Sequence, residues 1–268
     1  MKALTCISIL AFVPLVFITC GIVGAQMVTD GLVAYWPLDK DTVEGKTVKD
    51  VIGGNDGTIV GDPKIVPGKV GDAMEFDGDD GIDIQGTDAL NLSGKNQFTA
   101  AAWVNVGDDN PVVGVVAKCC GEIVAQRDAN GWCLRYDGRN GGQEMEFIIH
   151  SAAGWEGDGG FGASLPKKGE WHYLVGVLDG KSMKLYLDGE LVKEGQFVGP
   201  SIASNGPKTE IGHASDGGFV GLIDEVAIYN RPLSADEIKQ NFQAKGLSVR
   251  PAGKLATVWG EVKSKVLR

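Results

Sequence analysis

Histidine is scarce in this 268-residue chain, and its three copies, His150, His172 and His213, stand far apart. No nucleophile elbow, Ser-His-Asp arrangement or phosphate-binding loop accompanies them, so acyl and phosphoryl transfer lack their usual sequence signatures. Long helical periodicity is missing too, which excludes a helix bundle, and no segment recurs at a fixed period, which excludes a propeller or solenoid. Positive charge is in deficit: 25 Lys and Arg against 35 Asp and Glu give a net −10. The deficit is uneven. Residues 246–268 carry Arg250, Lys254, Lys263, Lys265 and Arg268 against Glu261, and taking that +4 and Lys2 away leaves −15 for residues 26–245. An acidic body argues against nucleic acid as a partner and suits divalent cations or plain solubility.

Cysteine is sparse as well, and its reading depends on the first 25 residues. Lys2 precedes a long apolar run ending in Val23-Gly24-Ala25, the pattern of a signal peptide cut after Ala25. Retention of the run as a membrane anchor is the alternative, and Pro14 within it and the small-residue ending favour cleavage. A lipid anchor at Cys20 fits less well, because Thr19 precedes it. Export, to the medium or the cell envelope, removes Cys6 and Cys20 and leaves Cys119, Cys120 and Cys133. Three thiols in an oxidising compartment imply one bridge and one spare. Adjacent cysteines are strained as a pair, so Cys133 is expected to bridge Cys120 or Cys119 across a hairpin. After cleavage no membrane partner is expected.

What the chain has in abundance is glycine, 40 residues, set among β-branched runs. Strands are expected near 32–38, 58–60, 73–76, 81–84, 98–106, 112–117, 132–136, 145–150, 161–165, 171–178, 183–187, 209–211 and 220–229. Turn chemistry separates them, as in Gly53-Gly54-Asn55-Asp56-Gly57, Asp137-Gly138 and Asp188-Gly189. Such an array predicts an all-β fold, an antiparallel sandwich of two stacked sheets. One short C-terminal helix is marked by the capping box Ser234-Ala235-Asp236-Glu237, with Leu233 and Ile238 as a hydrophobic staple, and runs to about Phe242. The segment 246–268 reads as a loosely ordered basic tail after a domain spanning 26–245.

The stretch EWHYLVGVLDGKSMKLYLDGELV, from Glu170 to Val192, forms two apolar runs around Asp179-Gly180-Lys181-Ser182. Its first run is apolar on both faces, Trp171, Tyr173, Val175 and Val177 on one and Leu174, Gly176 and Leu178 on the other. A strand of that kind lies in the middle of a sheet and is covered twice. The hairpin is therefore core.

Together with FTAAAWVNV (98–106) and FVGLIDEVAIYNRPLSADEI (219–238), this hairpin resembles the laminin G-like jelly-roll domain of the concanavalin A-like lectin and glucanase superfamily. GLVAYWPLD, DVIGGNDGTIVG and GKVGDAMEFDG are similar to the opening strands of secreted bacterial members, so the resemblance runs from about Leu32 to Phe242. It implies a jelly-roll topology, and its motifs are packing motifs that leave function to be argued from the site. The glucanase branch sets three carboxylates along one strand as Glu-x-Asp-x-(x)-Glu. Here Asp224 and Glu225 are adjacent and are expected on opposite faces, while Glu144 and Glu146 share a face without a third group. No enzyme is expected.

Metal and ligand sites are better supported. Asp224 is expected to share a strand face with Val220, Leu222, Val226 and Ile228, where a carboxylate needs a cation or strong donors. Oxygen-rich turns at Asp39, at Asn55 and Asp56, and at Asp77, Asp79, Asp80 and Asp83 could supply the rest of a calcium shell. The resembled family often holds a structural calcium near such loops, and the expected ligands are Asp39, Asn55, Asp77 and Asp224. For binding, the glycine-rich stretches RYDGRNGGQ and SAAGWEGDGGFG offer Arg139, Asn140 and Trp155. An aromatic platform with polar neighbours is the chemistry of sugar recognition, and loops on a rigid sandwich are where recognition sits. Two functions are carried forward: an extracellular carbohydrate-binding module with or without calcium, and a protein-interaction or structural surface domain whose partner is a cell-surface protein.

Overall fold

The computed structural model describes residues 25–107, 120–127, 131–138, 144–158, 161–164, 167–203, 208–214, 217–244 and 246–247. The expected strand at 112–117, most of the apolar N-terminal segment and most of the basic C-terminal segment lie outside them. In chain order the first strands are β1 (Leu32–Trp36), β2 (Val43–Glu44), β3 (Thr47–Val48), β4 (Gly57–Val60), β5 (Lys64–Pro67), β6 (Asp72–Asp77), β7 (Gly81–Ile84) and β8 (Gln97–Val106). The middle of the chain gives β9 (Cys120–Arg127), β10 (Gly131–Asp137), β11 (Glu144–Ser151), β12 (Gly154–Glu156) and β13 (Gly162–Ser164). Then come β14 (Trp171–Asp179), β15 (Ser182–Leu187), β16 (Glu190–Gln196), β17 (Thr209–Ile211), β18 (His213–Ala214), β19 (Gly217–Gly218), β20 (Val220–Tyr229) and the helix α1 (Ala235–Gln243).

These strands make two sheets. The first runs β16-β15-β14-β8-β20-β6-β5 with β1 also on β20, and the second runs β12-β11-β10-β9-β17-β7-β4-β3-β2 with β13 beside β11. Pairing is antiparallel apart from one parallel bridge between Gly218 and Glu122. Trp36, Phe76, Phe98, Trp132 and Phe147 fill the space between the sheets, and the Phe98 and Trp132 rings meet at 4.9 Å. A second apolar layer, with Tyr35, Trp103, Tyr173 and Tyr229, lies on the other face of the first sheet beneath Ile238 and Phe242 of α1.

The hairpin β14–β15 is built as its sequence requires. Leu174 and Leu178 enter the inter-sheet core, while Tyr173, Val175 and Val177 enter the helix-covered layer. Gly176 is a glycine because a Cβ there would lie 2.5 Å from the Phe147 ring. Asp179 starts the turn by accepting bonds from the amides of Lys181 at 3.1 Å and Ser182 at 2.8 Å. The next turn has Asp188 and Gly189 both at positive φ, 52° and 83°, the combination that a two-residue hairpin loop with matching twist demands. At α1 the capping box forms as expected, Ser234 accepting from the Glu237 amide and Glu237 from the Ser234 amide.

One strand departs from simple alternation. β20 pairs with β8 on one side, and the register slips between Asp224 and Ala227. Glu225, at φ 54°, is the extra residue. Before the slip Ile223 faces the inter-sheet core; after it Val226 and Ile228 do. Asp224 therefore does not share the face of Val226 and Ile228. It stands across from Trp103, on the helix-covered side. The bulge also turns Glu225 towards Tyr35 on that side, so the two acids do not point to opposite faces.

Candidate functional site

On its other edge β20 pairs with β6 over residues 220–223 and with β1 over residues 226–229. Asp224 and Glu225 fill the gap between those two partners. The turn joining β5 to β6, Gly68-Lys69-Val70-Gly71, folds over the gap, and the amides of Lys69 and Val70 donate to Asp224 Oδ2 at 2.9 and 3.0 Å. A Cβ on Gly68 would lie 2.7 Å from that same oxygen, and one on Gly71 would collide with Asp39 Oδ1. Both glycines are thus spaces for carboxylates. Asp39 itself follows Leu38, another non-glycine at positive φ (63°), and accepts from the Asp72 amide at 2.7 Å.

The electrostatics are those of crowded, buried acids. Asp224 is fully buried and its Oδ1 has no hydrogen-bond partner. Burial pushes its carboxyl up to about 7 against the pull of the Val70 and Lys69 amides, with the Asp39 charge adding to the rise. Burial likewise holds Glu225 at about 8, although the Tyr35 hydroxyl donates to it. Asp39 is raised by burial and by Asp41 and Asp72. Tyr35 also accepts from the Leu247 amide at 3.2 Å. The pocket over this cluster has a volume of about 390 Å³, with Tyr35, Asp39, Asp41, Lys49, Glu225 and Leu247 among its walls.

Of the four expected calcium ligands, Asp39 and Asp224 come together and the other two go elsewhere. Asn55 is buried in its own turn, where its amide nitrogen donates to Asp50 Oδ2 at 2.6 Å and its Oδ1 accepts from Thr87 at 2.6 Å. Asp77 is exposed and caps its own turn by accepting from the Asp79 amide at 3.0 Å. It lines a separate acidic depression with Asp62, Lys64, Glu75 and Asp80. A distant threonine has claimed the Asn55 oxygen, and a local turn bond Asp77.

A second polar region lies on the face of the second sheet turned away from the core. On β10 the core residues Trp132, Leu134 and Tyr136 alternate with Cys133, Arg135 and Asp137. The register sets Arg135 between Glu122 of β9 and Glu146 of β11. Its guanidinium donates to Glu146 at 2.9 Å, to Asp137 at 3.3 Å and to Asp158 at 2.5 Å. Burial pushes Glu146 up to about 8 against the pull of Arg135. Trp155 stands at the border of this face, opposite His150, with the two rings edge to face at 4.9 Å. Its underside packs on Ala125, Cys133 and Ile148. Arg139 and Asn140 lie outside the described residues.

The backbone register does not bring Cys120 and Cys133 together. Cys120 stands opposite Asp137 and Cys133 opposite Ala125. Four residues along β10 are about 13 Å, twice the Cα separation a disulfide spans. Cys133 Sγ instead meets the Glu122 carboxylate. Cys119 lies outside the described residues.

A family model described as the concanavalin A-like lectin/glucanases superfamily, laminin G type, matches residues 76–239. The chain belongs to that family. No curated protein matches it in a sequence search. Among solved structures it is similar to Domain 4 of AbnA, an extracellular GH43 arabinanase from Geobacillus stearothermophilus, in complex with arabinotriose. That likeness has a TM-score of 0.61 at 21% identity over 82% of this chain and 100% of that domain. It is similar to the binding domain of Paraclostridial mosquitocidal protein 1, with a TM-score of 0.61 at 20% identity over 80% of this chain and 52% of that one. The binding domain of botulinum neurotoxin DC, in complex with rat synaptotagmin II, gives a TM-score of 0.58 at 11% identity over 80% and 51%. At these identities the likeness is one of fold, and this chain spans about half the length of the two toxin domains. The same architecture is thus found in a domain in complex with arabinotriose and in toxin binding domains.

Proposed function

We propose that this laminin G-like domain is a non-catalytic, extracellular carbohydrate-binding module stabilised by a structural calcium. The observation that carries the sugar reading is the outer face of the second sheet. There Trp155, only partly buried, stands against His150, at the border of a row, Glu122, Arg135 and Glu146, that is itself buried and engaged within the protein. An indole offers the apolar face on which a pyranose or furanose ring stacks. An arabinotriose complex of a similarly folded domain supports this choice of ligand class.

For the calcium, the supporting observation is the partnerless, buried Oδ1 of Asp224 beside the carboxylate of Asp39. Hard oxygen donors in a turn-rich setting fit calcium, which takes carboxylates and backbone carbonyls in a flexible shell. Asp39 and Asp224 would hold the ion, and its charge would relieve the burial of both acids. Nothing in this reading needs a catalytic pair: Glu146 is bound by Arg135 and Glu122 meets Cys133.

The test is a broad glycan panel probed with the purified protein in calcium and then in chelator, beside Trp155→Ala. Binding by the parent and its loss in Trp155→Ala, with an unchanged melting temperature, is the expected result. Failure of the parent to bind any glycan in either buffer would sink the sugar reading in favour of a protein partner.

A further inference from the structure

Two groups of metal-ligating side chains gather among the described residues away from Asp224: Asp137, Glu146 and Asp158, and Asp83, Glu210 and His213. The first is closed, because Arg135 sits among its three carboxylates with about 1% of its side chain exposed. The second is held differently. Asp83 of β7 and Glu210 of β17 are directly opposite in the register, an arrangement of like charges that destabilises a sheet unless a cation joins them. Lys208 supplies that cation, its Nζ lying 2.9 Å from Asp83 Oδ1 and 2.8 Å from Glu210 Oε1. Unlike Arg135, it is a point charge on a flexible stem with a third of its side chain in solvent.

His213 completes the cluster. Its Nε2 is 2.9 Å from Asp83 Oδ1, and its ring lies over Gly81, where any Cβ would collide with the imidazole. The glycine at the start of β7 is thus the seat of the ring. One imidazole nitrogen and two carboxylate oxygens, all within 4.8 Å of one another, come from β18, β7 and β17 and need only about an ångström of adjustment to share one ion at 2.0–2.2 Å. An imidazole in the set selects against calcium and magnesium and for zinc, cobalt or nickel. The geometry points to a second, transition-metal site made by His213, Asp83 and Glu210, in which Lys208 is a built-in competitor that leaves for solvent when the ion enters. The site is independent of both the sugar face and the Asp39–Asp224 pair.

The competition gives the test its form. The full chain is titrated with Zn²⁺ by calorimetry and with Co²⁺ by visible absorption, alongside Lys208→Gln, His213→Ala and Asp83→Asn. Removing the competing ammonium should tighten binding about tenfold, the worth of two partly exposed ion pairs. Losing the imidazole or the shared carboxylate should weaken it by at least about tenfold. Lys208→Gln in zinc should also melt higher than Lys208→Gln in chelator, a readout that shows the variant folded. Absence of binding by both the parent and Lys208→Gln overturns the site. So does unchanged zinc affinity in His213→Ala, or a cobalt spectrum with thiolate charge transfer, which would assign the metal to the cysteines.

Discussion

The buried acid Asp224 makes a quantitative demand on stability. Its carboxyl sits at about 7 in the fold against an ordinary 3.8, with burial the largest cause. An acid whose folded value is raised keeps its proton in the native state while the unfolded chain releases it. Stability is therefore highest below about pH 4, falls as pH rises to about 7, and is flat above that as far as this group is concerned. Three units at about 1.4 kcal/mol each put the loss near 4 kcal/mol, an upper figure because Glu225 titrates against the same charges. Asp224→Asn abolishes the ionisation while keeping an oxygen for the Lys69 and Val70 amides. Urea unfolding followed by tryptophan fluorescence, in chelator, at pH 5 and pH 8, reads the difference, with Trp36 and Trp132 fully buried as reporters. The parent should lose several kcal/mol between the two conditions, and the variant distinctly less. Calcium should restore the parent at pH 8 and do little for the variant. Equal losses in parent and variant would refute the assignment of the buried charge to Asp224. A parent indifferent to calcium would remove the ion and leave the burial argument standing.

Two further changes probe the frame around the sites. Gly176→Ala drives a methyl into the Phe147 ring and should cost about 1–3 kcal/mol, read as a fall in melting temperature of about 2–4 °C per kcal/mol. Arg135→Met strips the guanidinium from Glu146, Asp137 and Asp158 and should destabilise by about 3–5 kcal/mol at pH 8. The cost should shrink at pH 5, because a carboxyl already as high as Glu146, at about 8, then takes a proton readily; denaturation at the two pH values checks it.

How much of this was legible in the sequence varies with the range of the interaction that decides it. The central strand at 171–179 declared itself by being apolar on both faces, and α1 by its capping box, since both signals are local. The strands Lys64–Pro67 and Glu190–Gln196 went unread. They are sheet edges open to solvent: Glu190–Gln196 is interrupted by charge, and Lys64–Pro67 is four residues long and ends in a proline, so neither carries the alternation of a half-buried strand. Cys120–Arg127 was missed as well, and on it Glu122, which alternation would send to solvent, is fully buried. Asn55 and Asp77 were read as ligands because their residue types fit, yet Thr87 holds the Asn55 side-chain oxygen and Asp77 caps its own turn. Asp224 was rightly singled out as a costly acid but set on the wrong face, because nothing in Glu225 as a residue type announces a left-handed backbone.

That misplaced face explains why the acidic pocket exists at all. Had β20 alternated without interruption, Asp224 would have stood among Val226 and Ile228 in the inter-sheet core, beyond the reach of the Gly68–Gly71 turn. The single extra residue at Glu225 turns two consecutive acids to the helix-covered side, just where β20 exchanges one edge partner for another and no ladder amide is available to them. The donors to Asp224 come from a turn flanked by two glycines, whose missing Cβ atoms let its backbone approach closely. GKVG before β6 and DE within β20 are therefore one device written in two places, 154 and 155 residues apart at the two bonds that join them, and a change to either should be felt as a change in how the other's charge is held.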